Sequence, residues 1–144
     1  KEKGHLVNEV CGIYATAPFM MIDDLIKGYN VLKSNKWNFV ISATEFAHPI
    51  FRSFEDNKSN GLKMFFPKYL KSRTQDCPKA MHDAGQFCWA KANSWTEKEL
   101  SFDNHSTIVE LPSWRVQDID TLDDWYRAEQ IYEIFLKNYA NKTL

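Results

Sequence analysis

The order of apolar and polar positions predicts a chain of short strands and two amphipathic helices. Runs of β-branched and other apolar residues predict strands at 7–14, 38–46, 85–91 and 106–112. Apolar residues three and four positions apart predict one helix over 21–34 and a longer one from about Leu122 to Asn138. The first strand, helix and strand follow one another through short joints, which favours a parallel α/β arrangement with a right-handed crossover.

The middle of the chain has a different pattern. Two short apolar segments, 50–54 and 62–66, flank a polar stretch ending in Asn60-Gly61, a pair that favours the positive φ angles of a hairpin turn. The segment 94–100 predicts a short helix or turn. Because the chain shows no internal repeat, low-complexity linker or break in composition, the sequence predicts one domain over 1–144. Its expected class is α/β, with a mixed sheet and a hairpin extension.

Composition narrows the functional classes. Hydrophobic residues form 44% of the chain, which is typical of a globular protein rather than a disordered one. The net charge of -1 gives no overall attraction to nucleic acid or to anionic lipid, and no apolar run approaches the roughly 18 residues of a membrane span. Cys11, Cys77 and Cys88 have no CxxC spacing and indicate reduced thiols. We therefore expect a cytoplasmic protein that binds neither nucleic acid nor membrane.

The segment RVQDIDTLDDW, residues 115–125, places two carboxylates on either side of one isoleucine. If it is the end of a strand, Asp118 and Asp120 share a face, with Cα atoms about 6.6 Å apart at ~3.3 Å per residue. A Mg²⁺ ion with oxygen ligands at about 2.1 Å can bridge such a pair and offset its repulsion. The alternative is helix capping, since Thr121 and Asp124 have the spacing of a capping box. Capping leaves Asp118 unexplained.

A second polar cluster lies within residues 72–89. It combines guanidinium, amide, imidazole and carboxylate side chains around a glycine, and its members are Arg73, Gln75, Asp76, His82, Asp83 and Gln86. This density suits a polar, anionic ligand, with Arg73 able to hold a carboxylate through two parallel hydrogen bonds. The alternative is a solvated loop held by local turns of its short polar side chains, and composition alone favours that loop.

Four motifs, in the order IYATAPF, SATEF, TQDCPKAMHDAGQFCW and RVQDIDTLDDW, resemble those of the acylneuraminate cytidylyltransferases. They fall between residues 11 and 127, so the resemblance covers nearly the whole chain. The D-x-D-T-x-x-D-W segment that enters the last helix is the most diagnostic. HDAGQFCW and YATAPF resemble the pseudaminic acid branch, because the sialic acid branch more often has Q-P-T-S-P near the first motif and Asn-Gly in the later one.

The resemblance implies a Rossmann-like nucleotidyltransferase fold and an enzyme that transfers CMP from CTP to a nine-carbon keto sugar acid, with Mg²⁺, releasing pyrophosphate. It implies that Asp118 and Asp120 are catalytic metal ligands. It also implies nucleotide or sugar contacts for residues of the earlier motifs, namely Thr16, Ala17, Arg73, Gln75, Asp83 and Gln86. In those roles Arg73 neutralises the sugar carboxylate, while the side-chain amides of Gln75 and Gln86 and the Asp83 carboxylate bind hydroxyl and acetamido groups.

The sequence departs from the family pattern at its beginning. The family opens with a Gly-rich basic segment, A-R-x-G-S-K, that holds the CTP phosphates, and these 144 residues contain no such segment. The chain starts at Lys1 without an initiator Met, so we expect an N-terminally truncated domain that is impaired without the missing strands. A homo-oligomer or a separate N-terminal segment would cover the open sheet edge. Two alternatives stay open: a non-catalytic sugar-binding or interaction module, and a cytidylyltransferase for sialic acid or another keto-deoxy sugar.

Overall fold

The computed structural model describes residues 4, 6–34, 36–97 and 102–140. The strands of these residues are β1 (Glu9–Ile13), β2 (Phe39–Glu45), β3 (Phe54–Asn57), β4 (Gly61–Met64), β5 (Met81–Lys91) and β6 (Ser106–Glu110). The helices are α1 (Ile22–Lys33), α2 (Ala92–Glu97) and α3 (Leu122–Ala140). The four strands and two helices predicted from periodicity are confirmed, with ends that shift by a few residues.

The chain forms two compact units. The larger unit comprises Lys1–Thr44 and Asp83–Leu144, and the smaller unit comprises Glu45–His82. The single domain predicted over 1–144 stays a prediction. Among the helices of the described residues, none combines the length and the apolar character that a membrane span requires.

The sheet of the larger unit is mixed, as predicted, with the strand order β1-β5-β2-β6. β1 runs antiparallel to β5, with Glu9 opposite Lys91 and Ile13 opposite Phe87. β2 runs parallel to β6. Because β5 lies between β1 and β2, the first strand, helix and strand do not form neighbouring parallel strands. β5 also begins at Met81, earlier than predicted, so part of the polar cluster belongs to a strand rather than to a loop.

Helix α1 lies unusually close to β5. A Cβ atom at Gly28 would be 2.8 Å from Trp89 Cδ1 and 3.0 Å from Phe87 Cε2, so only glycine fits at this position. The Trp89 indole N–H donates to the Leu25 carbonyl of the same helix at 3.0 Å. The close approach therefore combines ring packing with one hydrogen bond that satisfies a half-buried indole.

The core beneath α1 contains an apolar cluster and also buried polar side chains, among them Ser42. Its buried apolar members are Leu32, Val40, Ala84, Phe87, Val109 and Leu111. Ser42 is fully buried, and its hydroxyl oxygen accepts the backbone N–H groups of Gln86 at 3.3 Å and Phe87 at 3.0 Å. These bonds follow directly after Gly85, whose φ of 61° takes β5 out of the extended conformation. Ser42 thus replaces strand partners that this turn disrupts.

The smaller unit is built around a hairpin and a cluster of aromatic rings. β3 and β4 pair antiparallel, and Gly61 has a φ of 79°, which confirms the predicted hairpin turn. The segment Ile50–Arg52, predicted to be part of an apolar hairpin flank, is a 3₁₀ helix instead. Its Phe51 ring packs against Phe66 and Tyr69, with centroid distances of 5.3 and 4.9 Å, so ring packing decides its conformation.

Candidate functional site

Three segments of the larger unit meet in one region: the end of β1, the middle of β5 and the stretch before α3. The backbone N–H of Tyr14 donates to the Gln86 carbonyl at 3.0 Å. The Gln86 side chain continues the link, because its Nε2 donates to the Arg115 carbonyl at 2.8 Å. Gln86 is only 2% exposed, so it joins the segments from inside the protein.

Asp118 and Asp120 are both exposed, and Ile119 between them is half-buried. The strand considered for this stretch is absent, since residues 116–119 have no regular secondary structure and follow the 3₁₀ helix Ser113–Arg115. The prediction that the two aspartates share one face of a strand is therefore wrong. Asp118 also satisfies a local donor, because its Oδ1 accepts the Ile119 backbone N–H at 3.0 Å.

Ile119 stands between the two aspartates in the sequence, and it is half-buried. It lines an apolar groove of about 190 Å³, whose other walls are Pro18, Phe19, Trp125, Ala128, Glu129 and Tyr132. Complete burial of an aliphatic side chain stabilises a protein by about 1.5–3 kcal/mol, so the half-buried Ile119 contributes part of that amount to holding an otherwise irregular segment. The aspartates on either side of Ile119 are exposed and accessible to a ligand.

Asp83 connects the end of β1 to the turn in β5. Its Oδ1 accepts the Gly85 backbone N–H at 2.8 Å, and its carboxylate acts electrostatically on the Tyr14 side chain. Partial burial raises the pKa of Tyr14, and the negative charge of Asp83 raises it further, with smaller contributions from Cys88 and Asp118. The nearest atoms to a Cβ placed on Gly85 are those of the Asp118 carboxyl group, at 3.8–4.0 Å. Asp83 and Asp118 thus both act on Tyr14.

The start of α3 carries the predicted capping box. The Thr121 hydroxyl accepts the Asp124 backbone N–H at 3.2 Å, and Asp124 Oδ2 accepts the Thr121 N–H at 3.0 Å. The Thr121 hydroxyl also lies 2.7 Å from Asp124 Oδ2, and this hydrogen bond is the largest cause that lowers the Asp124 pKa. Capping therefore explains Thr121 and Asp124, and it leaves Asp118 and Asp120 for another role.

A buried ion pair that the sequence did not reveal holds this region together. Arg115 Nη1 lies 2.8 Å from Asp24 Oδ2 and also donates to the Phe19 carbonyl at 3.2 Å. Both charged side chains are largely buried, with 7% and 15% exposure. Arg115 thereby ties the loop after β1 to α1, while its own carbonyl accepts from Gln86. The sequence offered one indication of this buried arginine, because a charged residue directly follows the apolar turn LPSW.

Thr16 and Ala17 lie in the turn that follows Tyr14. Thr16 is exposed, whereas Ala17 is half-buried and its carbonyl accepts the Met20 N–H at 3.4 Å. Both belong to the larger unit, together with the predicted site residues of β5 and of the stretch before α3. Gln86 differs from the prediction in its surroundings, because its amide N–H is used by Arg115 rather than presented at the surface.

Arg73 and Gln75 belong to the smaller unit. Arg73 is exposed and makes a two-point contact with Asp76, through Nε–Oδ2 at 2.7 Å and Nη2–Oδ1 at 3.2 Å. Gln75 lines a cavity of about 390 Å³ with polar and apolar walls that also include Thr74 and Lys79. The guanidinium fork of Arg73 thus holds the Asp76 carboxylate, and its predicted contact with the carboxylate of a ligand stays a prediction.

The residues around Asp118 fit a magnesium ion in part. Within the described ranges, no group of three or more His, Cys, Asp or Glu side chains forms a complete metal-binding cluster. Mg²⁺ commonly uses one or two carboxylates and completes its shell with water and substrate phosphates. Two exposed carboxylates separated by an anchored isoleucine supply that minimal set. The chemistry of the side chains is therefore compatible with the ion that the motif resemblance implied.

The chain is similar in sequence to known proteins. No family model matches the chain. It is 39% identical over 134 residues, 93% of its length, to the pseudaminic acid cytidylyltransferase of Campylobacter jejuni serotype O:2 (strain ATCC 700819 / NCTC 11168), and 38% identical to that of serotype O:23/36 (strain 81-176). The chain is a relative of the pseudaminic acid cytidylyltransferases. The resemblance inferred from the four motifs is thus confirmed.

A third relative from Helicobacter pylori (strain 26695) is named pseudaminic acid cytidylyltransferase and UDP-2,4-diacetamido-2,4,6-trideoxy-beta-L-altropyranose hydrolase. It is 30% identical over 110 residues, which cover 76% of this chain and 21% of that protein. The chain spans 58% of the length of the two Campylobacter cytidylyltransferases. Similarity to the cytidylyltransferases therefore extends through this chain, while a large share of each relative has no counterpart in it.

Proposed function

We propose that the protein containing this chain transfers CMP from CTP to pseudaminic acid, giving CMP-pseudaminic acid and pyrophosphate. The observation that carries this proposal is the 39% identity over 93% of the chain to a protein named for that activity. The structure supports it through the accessible carboxylates of Asp118 and Asp120, which lie at the entrance to α3. The proposed fold class is Rossmann-like, in keeping with a mixed sheet that α1 covers.

Asp118 and Asp120 would hold the Mg²⁺ ion in the proposed reaction. When bound, such an ion neutralises phosphate charge and favours departure of pyrophosphate. The protein's own contribution is to keep both carboxylates accessible and in place, through Ile119 on one side and the Thr121–Asp124 cap on the other. An exposed pair of like charges is repulsive by itself, so these anchors offset a local electrostatic cost.

In the proposed reaction, the anomeric hydroxyl of the sugar attacks the α-phosphorus of CTP. A bond forms between that oxygen and phosphorus, the bond from phosphorus to the bridging oxygen of pyrophosphate breaks, and the hydroxyl proton passes to solvent water. Positioning contributes much of the rate in such transfers. We propose that Thr16 and Ala17 contribute to this positioning, in a turn that Arg115 supports through its contacts with the Phe19 carbonyl and Asp24.

Arg73 and Gln75 are proposed to contact the sugar acid. The exposed Arg73–Asp76 pair resembles the contact that a sugar carboxylate would make. Exposed ion pairs contribute about 0–1 kcal/mol, so a substrate carboxylate can displace Asp76 at little cost. Gln75 lines the cavity of about 390 Å³ in the same unit, which is large enough for part of a polar ligand.

The proposed sugar is pseudaminic acid rather than a sialic acid because all three relatives are named for pseudaminic acid. A direct test uses the full-length gene product with CTP, Mg²⁺ and either pseudaminic acid or N-acetylneuraminic acid, and detects the CMP-sugar by mass spectrometry. We expect CMP-pseudaminic acid to form at least tenfold faster. Formation of neither product would refute the proposed activity, and preference for N-acetylneuraminic acid would refute the proposed sugar.

A further inference from the structure

The carboxylate of Asp83 is engaged within the protein, which is unexpected for a residue predicted to contact the sugar. It accepts the Gly85 backbone N–H at 2.8 Å and acts electrostatically on the Tyr14 side chain. An aspartate that accepts from the N–H two residues later forms a local turn that competes with regular strand pairing. Asp83 therefore stabilises the departure of β5 from the extended conformation.

Gly85 occupies the centre of this turn for a conformational reason. Its φ of 61° lies in the left-handed region, which glycine adopts at little cost and other residues rarely adopt. The face of Gly85 that lacks a side chain is directed at Asp118, whose carboxyl atoms are the nearest neighbours of a Cβ built there, at 3.8–4.0 Å. The path of the backbone at Gly85 thus borders the space in which the Asp118 carboxylate lies.

We propose that Asp83 is a positioning residue for Asp118. Together with Tyr14, it holds the turn at Gly85, and this turn borders the space that the Asp118 carboxylate occupies. This inference rests on the proposed metal role of Asp118 and Asp120. Asp83 accepts the Gly85 N–H, Gly85 borders the Asp118 carboxylate, and both carboxylates act electrostatically on Tyr14. Asp83 then affects metal binding through geometry, and its effect on the sugar is indirect.

The test measures Mn²⁺ binding to the full-length gene product by electron paramagnetic resonance of free Mn²⁺, with Mn²⁺ as the probe for Mg²⁺. Asp83→Ala removes the hydrogen bond to Gly85 and the charge that acts on Tyr14, and we expect the Mn²⁺ Kd to rise by roughly tenfold to a hundredfold, as is typical when a residue that supports a metal ligand is removed. Asp83→Asn keeps an oxygen for the Gly85 N–H and a polar partner for Tyr14. Its Kd should stay within about twofold of the wild-type value, because a side-chain amide offers both an acceptor oxygen and donor N–H groups.

Tyr14→Phe provides the second variant, because it removes one hydroxyl from a side chain that is 44% exposed and leaves the core intact. We expect a severalfold rise in the Mn²⁺ Kd with an unchanged far-ultraviolet circular dichroism spectrum. If Asp83→Ala does not fold, this variant decides alone. An unchanged Kd in Tyr14→Phe, or in a folded Asp83→Ala variant, would overturn the positioning role.

A separate control distinguishes this inference from the proposed function. The double variant Asp118→Asn, Asp120→Asn should abolish the Mn²⁺ binding that the wild-type protein shows. If the double variant binds Mn²⁺ normally, the proposed metal ligands are wrong and the role of Asp83 falls with them. If binding depends on that pair but Asp83→Ala alters only the KM for the sugar, the metal ligands stand and Asp83 is a sugar contact instead.

Discussion

Arg115 and Asp24 form a largely buried ion pair, 2.8 Å apart, that joins the stretch before α3 to the first turn of α1. The same guanidinium holds the Phe19 carbonyl, and the Arg115 carbonyl accepts from Gln86. One residue therefore connects the loop after β1, helix α1 and strand β5. The positions of Thr16 and of the aspartates beyond Arg115 depend on this connection more than on any regular secondary structure.

Removing the carboxylate of Asp24 should destabilise the protein strongly. Asp24→Ala leaves the Arg115 charge buried without its partner, and breaking such a pair costs about 3–5 kcal/mol. The matched control is Asp23→Ala, which removes an exposed acidic residue from the same helical turn. Urea denaturation should show a large fall in the midpoint for Asp24→Ala and a small one for Asp23→Ala. Equal effects would mean that the ion pair contributes no more than a helix-dipole contact.

Gly28→Ala should destabilise the protein even though alanine is the better helix former. The added Cβ would lie 2.8 Å from Trp89 Cδ1 and 3.0 Å from Phe87 Cε2, so α1 or both rings must move. Overpacking of this kind costs about 1–3 kcal/mol. Gly12→Ala is a useful comparison, because its Cβ would meet the Trp95 ring at an ordinary 3.4 Å. Thermal denaturation that shows Gly28→Ala to be as stable as the wild type would contradict the close packing of α1 on β5.

The cap of α3 should make stability depend on pH in the acidic range. The Thr121 hydroxyl holds the pKa of Asp124 below its ordinary value of 3.8. A lowered folded-state pKa contributes stability that is fully present above 3.8 and is lost as the pH falls through the folded-state pKa. Thr121→Ala should therefore raise the Asp124 pKa, and the stability gap to the wild type should narrow in acid. Carboxyl NMR titration measures the pKa directly, and an unchanged value would contradict the assigned hydrogen bond.

The cysteines should differ sharply in reactivity. Burial raises the pKa of Cys88 to about 12 and that of Cys11 to about 11, so both remain thiols at neutral pH. The thiolate is the nucleophile, and these two residues should react slowly with iodoacetamide. Mass spectrometry after brief labelling at about pH 7.5 should find the label on Cys77 first. Early labelling of Cys88 in the folded protein would contradict its buried position.

Periodicity and turn chemistry were sufficient to predict the local elements. The hairpin turn at Gly61 and helix α3 were predicted from residue types within a few positions of each other, because the interactions that form them are local. The capping box of Thr121 and Asp124 was predicted for the same reason. The magnesium-binding role of Asp118 and Asp120 was predicted from a motif resemblance. Their spacing alone supported that role only weakly.

The relations that the sequence did not reveal all depend on distant contacts. The place of β5 between β1 and β2 is set by pairing across the whole chain, which no local pattern encodes. The strand considered at Asp118 is absent, and Ile119 in this stretch borders a groove formed with residues of α3 and of the loop after β1. The burial of Arg115 likewise required Asp24, 91 positions earlier, as its partner.

The central claim is that Asp118 and Asp120 serve a magnesium-dependent cytidylyl transfer. The most direct measurement is pyrophosphate release from CTP and pseudaminic acid by the full-length gene product with Mg²⁺, comparing wild type with Asp120→Asn and with Asp123→Asn as an exposed acidic control from the first turn of α3. We predict that Asp120→Asn lowers the rate by roughly 10²–10³-fold, the effect typical of removing one group that stabilises transition-state charge. Asp123→Asn should retain most of the wild-type rate of pyrophosphate release. Undiminished turnover in a folded Asp120→Asn variant would contradict the account.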